Sequence, residues 1–172
     1  MKLTPAMQRF ILHWGEMGWR WGINRSVAQV HALLMLSPKP LPADEIAEAL
    51  QVARSNVSTS LRELDGWGLV RAAHVFGDRR EHFETLKDVW EMFLLILRER
   101  KKRELDPTIS ALRECADAAA AGKADSEHTQ KRLKELVEFM ELTSTWADKG
   151  AALSPAAARK LFHLADKVFR LV

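Results

Sequence analysis

Cys115 is the chain's only cysteine, so no intrachain disulfide can staple the fold. That fits a reducing compartment, and cytoplasmic residence is the expectation. Long apolar runs are also missing. The longest cluster, Met92 to Leu97, is far too short to span a bilayer, so no membrane partner is expected. The opening MKLTPAMQRFILHWGEMGWRWG lacks a secretory pattern, because His13 and Glu16 break its apolar stretch and no small-residue cleavage site follows. Catalytic signatures are absent as well. There is no nucleophile elbow, P-loop, dinucleotide loop or zinc-protease helix, and Glu45 with Glu48, or Glu135 with Glu138, read as ordinary helix carboxylates. No enzyme activity and no cofactor is expected. Metal ligands lack spacing too: Cys115, His128 and His163 are scattered, and His74 and His82 read as surface residues of a hairpin. No internal repeat or low-complexity linker divides the chain.

What is present suits a globular domain with attached helices: 172 residues, 47% hydrophobic and 28% charged. The net charge of +3 leans mildly towards an anionic partner, so the placement of charge has to carry any functional argument.

The first helix is capped by Thr4, opens at Pro5 and is expected to be interrupted by Gly15, Gly18 and Gly22. A second, with Val27, Val30, Leu33 and Leu34 at helical spacing, runs from about 24 to Leu36, where Ser37-Pro38-Lys39-Pro40 stops it. Pro42 opens a short helix with Asp44 and Glu45 in its first turn, where the helix dipole favours acids. Gln51-Val52-Ala53 is a turn.

The next helix, about Arg54 to Asp65, has two faces. Val57, Leu61 and Leu64 point inward, and Ser55, Ser58, Thr59 and Arg62 recur on another side. Gly66 and Gly68 stop it around Trp67. Leu69 to Phe76 and Glu81 to Leu86 read as strands joined by a tight turn at Gly77-Asp78, with Arg79 and Arg80 beside it.

From Asp88 a helix apolar nearly all round turns abruptly charged, and Asp106-Pro107 marks a break and a fresh start. Two more helices follow. Leu133, Leu136, Val137 and Met140 form the stripe of one; Leu161, Leu164, Ala165 and Val168 line the other. The basic run Arg98 to Arg103 reads as a solvated face with partners such as Glu99–Arg103 and Arg100–Glu104.

The fold class is therefore mainly α: a winged helix-turn-helix with a small β-hairpin wing, flanked by long helices for dimerisation. Residues 1–22 form an N-terminal packing and dimerisation helix, 23–87 the winged helix-turn-helix and 88–172 a helical dimerisation region. A helix that enters the major groove needs short polar side chains, because bulk would hold its backbone away from the base edges. Ser55, Asn56, Ser58 and Thr59 meet that need between Arg54 and Arg62, either of which could pair with guanine or hold a phosphate. Arg79 and Arg80 at a wing tip suit a narrow minor groove. Double-stranded DNA is the expected partner. The alternative is a winged-helix protein-interaction module without duplex affinity.

The segments GINRSVAQVHALL, ADEIAEAL, SNVSTSLRELDGWGLV, GDRREHFE and RERKKRELDPT resemble the GbsR/MarR-type transcriptional regulators over about residues 20–112. The resemblance implies a homodimer reading a pseudo-palindromic operator, usually as a repressor. It places Ser55, Asn56, Ser58, Thr59 and Arg62 towards the groove and Arg79 and Arg80 as wing contacts. Two departures stand out: Ala53 replaces the usual serine cap, and Gln51 occupies a turn position where glycine is frequent.

Spacing two copies on DNA requires a seam. Trp90, Phe93, Leu94 and Leu97, at i, i+3, i+4 and i+7, are candidates either for that seam or for an intrachain core. Some relatives are linked to choline and betaine control, so a small-molecule effector held by an aromatic box of Trp14, Trp19, Trp21 and Trp67 is a further candidate. Against it, aromatics at helical spacing are core residues first, and Trp67 is better read as packing under the recognition helix.

Overall fold

A computed structural model describes residues 1–122 and 126–170, apart from the side chains of Val168 and Phe169. Val168, expected on the inner side of the last helix, thus lies outside the described side chains. The chain divides into two compact units, Met1–Val89 and Trp90–Val172.

Helix α1 spans Pro5–Arg20, with the Thr4 hydroxyl accepting from the Met7 N–H at 3.3 Å. Contrary to expectation, it runs unbroken through Gly15 and Gly18. Each glycine costs a helix about 1 kcal/mol relative to alanine, but here α2 (Arg25–Leu36) crosses close by. A Cβ on Gly18 would sit 2.6 Å from Cβ of Ala28, and one on Gly15 would sit 2.7 Å from Cγ of Gln29. The glycines admit the neighbouring helix. Only Gly22, at φ +78°, ends α1: Gly22 N–H donates to Trp19 O and Ile23 N–H to Gly18 O, a Schellman close.

Asn24 caps α2 through its side chain, which accepts from Ser26 N–H at 2.8 Å. The helix is the axis of the first unit, with Val27, Val30, Leu33 and Leu34 buried, as expected, and His31 and Ala32 beside them. After it, Leu41–Pro42 forms a short strand, β1, that sequence periodicity cannot reveal in two residues. Pro42 does not begin the helix; it closes the strand, and α3 runs Ala43–Leu50. A proline without an N–H is tolerated there because β1 is an edge strand in the order β1-β3-β2.

Gln51 turns the chain at φ +56°, so it takes the left-handed conformation that glycine favours although it carries a side chain. Then α4 runs Arg54–Gly66, with Val57, Ser60, Leu61 and Leu64 buried. Strands β2 (Val70–Ala73) and β3 (His82–Thr85) pair antiparallel from Val70↔Thr85 to Ala73↔His82. They are shorter than expected, and no two-residue hairpin joins them. An eight-residue loop, 74–81, connects them, its tip a turn in which Asp78 N–H reaches Val75 O at 3.1 Å and Gly77 takes φ +84°. The Asp78 carboxylate binds Arg80 N–H at 3.0 Å, a local bond that competes with the ladder.

In the second unit α5 (Val89–Arg100), a π-helical turn (Lys101–Leu105) and α6 (Asp106–Ala121) are continuous. The expected break at Asp106-Pro107 is absent. Proline clashes with the carbonyl four residues back, and one wide turn before it relieves the clash without ending the helix. Lys101 from that turn pairs with Asp106 at 2.7 Å and with Asp148 of α7 (Glu127–Ala151) at 3.2 Å. Its neighbour Arg100 pairs with Glu104 as expected. On α7, Leu133, Val137 and Met140 are half-buried, but Leu136 is exposed. The covered line steps 130, 133, 137, 140, 144, 147, 151, a coiled-coil-like spacing that leaves 136 off the seam. Likewise Ala158 and Ala165, not Leu161 and Leu164, lie inward on α8 (Pro155–Phe169).

Candidate nucleic-acid interface

Two helices and a braced loop form the site. The buried side of α4 fixes its rotation, so Arg54, Ser55, Asn56, Ser58, Thr59 and Arg62 all stand exposed along its outer side. Arg54, Ser58 and Arg62 line one groove of about 630 Å³ with Arg80 and Glu81 of the wing loop. Ser55, Asn56 and Thr59 lie outside that groove on the same helix. Arg62 reaches Thr59 Oγ1 only at 3.4 Å, a weak tether that leaves its guanidinium available. The start of α4 carries no side-chain cap at Ala53, so its first-turn N–H groups lack the partner a serine would supply.

The two wing arginines are not equivalent. Arg79 is exposed. Arg80 is held by three carboxylates: Asp78 at 2.6 Å, Asp44 at 2.8 Å and Glu45 at 3.1 Å. The last two belong to the first turn of α3, so Arg80 ties the wing to the helix-turn-helix. Hydrogen bonds from Arg80 depress the carboxyls of Asp78 and Asp44 below their ordinary range, and donating them to Asp78 and Asp44 raises Arg80 in turn. His82, expected at the surface, is buried. Its Nδ1 lies 2.8 Å from Arg80 O and its Nε2 3.4 Å from Asp78 Oδ2. His74 is exposed, as expected. Asp44 and Glu45 were legible as helix-start acids, but their second role was not, since 35 or 36 residues separate them from Arg80.

The residues singled out for a seam pack within the second unit. Trp90 lies 5.2 Å and Phe93 5.8 Å, ring centre to ring centre, from Phe162. Leu94 is buried, and Leu97 is half-buried beside Gly150. Of the tryptophans, Trp14 meets Phe10 and His31, Trp67 is half-buried, and Trp19 and Trp21 are exposed. Among the described residues, no helix is long and apolar enough to cross a membrane.

A short helix, a left-handed turn, a polar-faced helix and a braced β-loop define a winged helix-turn-helix. The profile of the MarR family matches residues 21–81. The HTH-type transcriptional repressor GbsR of Bacillus subtilis (strain 168) is 26% identical over 94 residues, which cover 55% of this chain and 52% of that protein. The match thus spans about half of the relative's length. A solved structure of a transcriptional regulator shares the fold at a TM-score of 0.58, with 24% identity, over 86% of this chain and 96% of that one. Residues 21–81 thus match a MarR-family winged helix, and the GbsR/MarR resemblance read from the sequence holds.

Proposed function

We propose that this protein is a cytoplasmic, sequence-specific DNA-binding regulator acting as a homodimeric repressor on a pseudo-palindromic operator, with residues 23–87 as the DNA-binding part. The observation that carries the reading is the exposed polar side of α4, whose Arg54, Ser58 and Arg62 open onto a groove shared with the wing. Small hydroxyls and amides between arginines suit base edges. In this reading Arg79 contacts the sugar-phosphate backbone, while Arg80 holds the wing in place. The described repressor role of GbsR supports the sign of regulation. Control by a small-molecule effector belongs to the same reading, and the exposed Trp19 and Trp21 keep the aromatic candidate open.

The proposed dimer uses residues 1–22 and 88–172. Within the second unit, Phe93 remains 42% exposed and α7 carries an uncovered stripe of Leu136, Phe139, Leu142 and Trp146. A second copy covers that stripe, while Trp90 packs on Phe162 of α8 and Leu94 is buried within the unit.

Selection from random duplexes tests the reading. An enriched motif is expected, with half-sites about one helical turn apart and affinity falling steeply with salt. A protein-interaction module would enrich nothing. Arg62→Ala is expected to cost about 1–3 kcal/mol and to relax preference at one base position. Equal weakening on all duplexes would reassign Arg62 to phosphate.

A further inference from the structure

The tip of the wing carries an exposed phenylalanine. Phe76 is 106% exposed, more open than any other large apolar side chain described. Scattered surface apolar residues are ordinary, but this one stands fully open at the tip of a braced loop. Phe76 is fully open to solvent, and it sits at the leading corner of the turn closed by Asp78 N–H on Val75 O. Gly77, at φ +84°, holds that corner tight. Behind it the wing is braced by Arg80 on Asp78, Asp44 and Glu45, so the ring is presented on a fixed loop. Exposed Arg79 stands three residues away as a cation for adjacent phosphates.

We propose that Phe76 is a wedge: it enters the minor groove and inserts between two stacked base pairs, kinking the duplex beside each half-site. The inference rests on the DNA-binding reading above and gives it a deformation component. Apolar wedges open the groove and bend DNA towards the major groove, and the cost depends on the step. Pyrimidine–purine steps unstack most readily, so the wedge gives the protein a preference at a position where it makes no hydrogen bond. Arg79 and the wedge divide the work: one neutralises charge, the other opens a step.

The test uses the full chain and a duplex selected by it, with 2-aminopurine placed in turn at each step flanking the half-site and end-labelled for energy transfer. The wild type is expected to raise fluorescence at one step per half-site and to shorten the end-to-end distance. Phe76→Ala, an exposed change that spares the fold, is expected to bind about 5- to 150-fold more weakly, the range for loss of aromatic stacking on a base. It should lose both the fluorescence rise and the bend. Phe76→Leu should retain part of each. Wild-type binding with no unstacked step, or equal unstacking by Phe76→Ala, overturns the wedge and leaves the DNA reading standing. Failure of the wild type to select any duplex overturns both.

Discussion

His31 is a residue whose chemistry opposes its place. It lies buried in the middle of α2 against Trp14, and among the described residues its Nε2 has no hydrogen-bond partner. Burial disfavours the charged ring and lowers its pKa from 6.5 to about 4. The native state therefore keeps the ring neutral, while the unfolded chain takes up a proton first. The sign follows: the His31 contribution is intact above pH 6.5 and is lost as pH falls from there to about 4, at most roughly 3 kcal/mol. Urea unfolding at pH 7.5 and 4.5 checks this. His31→Leu should lose less stability between the two than the wild type, and it should gain about 1 kcal/mol at neutral pH, where it removes an unpaired buried nitrogen. A wild-type loss matched by the variant would assign the acid sensitivity to the carboxylates. The histidine was not flagged by the sequence, because a polar residue on a helix buried on most sides looks like any exposed position until the neighbouring helix is in place.

At the scale of elements, the recognition helix was the most legible part and the wing the least. The inward line Val57, Leu61, Leu64 sets the helix by its spacing alone, so its outer residues follow. Gly15 and Gly18 mislead for the opposite reason: local propensity argues for a break, and a helix crossing that only the tertiary fold supplies wins. The wing depends on bonds between residues far apart in sequence, and no periodicity records those. Arg80 shows the consequence. If it braces the wing, Arg80→Gln should weaken specific binding while leaving the salt slope unchanged, and it should speed hydrogen exchange in β2 and β3. If it holds a phosphate, the slope should fall by about one. The brace should also outlast mild acid. Asp44 and Asp78 keep their charge below the ordinary carboxylate range, so their contribution is present above pH about 4 and fades only as pH drops through their lowered values.

The whole molecule turns on what covers its second unit. Among the described residues, few of that unit's large apolar side chains are deeply buried: Met92, Leu94 and Ile109 are, whereas Leu136, Phe139, Leu142 and Trp146 lie open on α7. Those four expose roughly 400 Å² of apolar surface, within the range of patches that mark interaction sites. A standard interface takes about 800 Å² from each partner, so a second surface has to contribute, and Leu161 and Leu164 on α8 are also open. A twofold dimer answers this economically, because the same stripe serves both sides and places two recognition helices under one symmetry axis. Trp146 is 65% exposed, with Lys149 Nζ over its ring at 5.3 Å, so Trp146→Glu removes little beyond that surface contact and places a charge on the stripe. Sedimentation should then show a monomer with unchanged helix content. Affinity for a two-half-site operator should fall about 10²–10⁴-fold, since the second half-site is no longer bound intramolecularly. Affinity for an isolated half-site should hold. A dimer that survives the charge would move the seam off α7, and residues 1–22 would then be the segment to test.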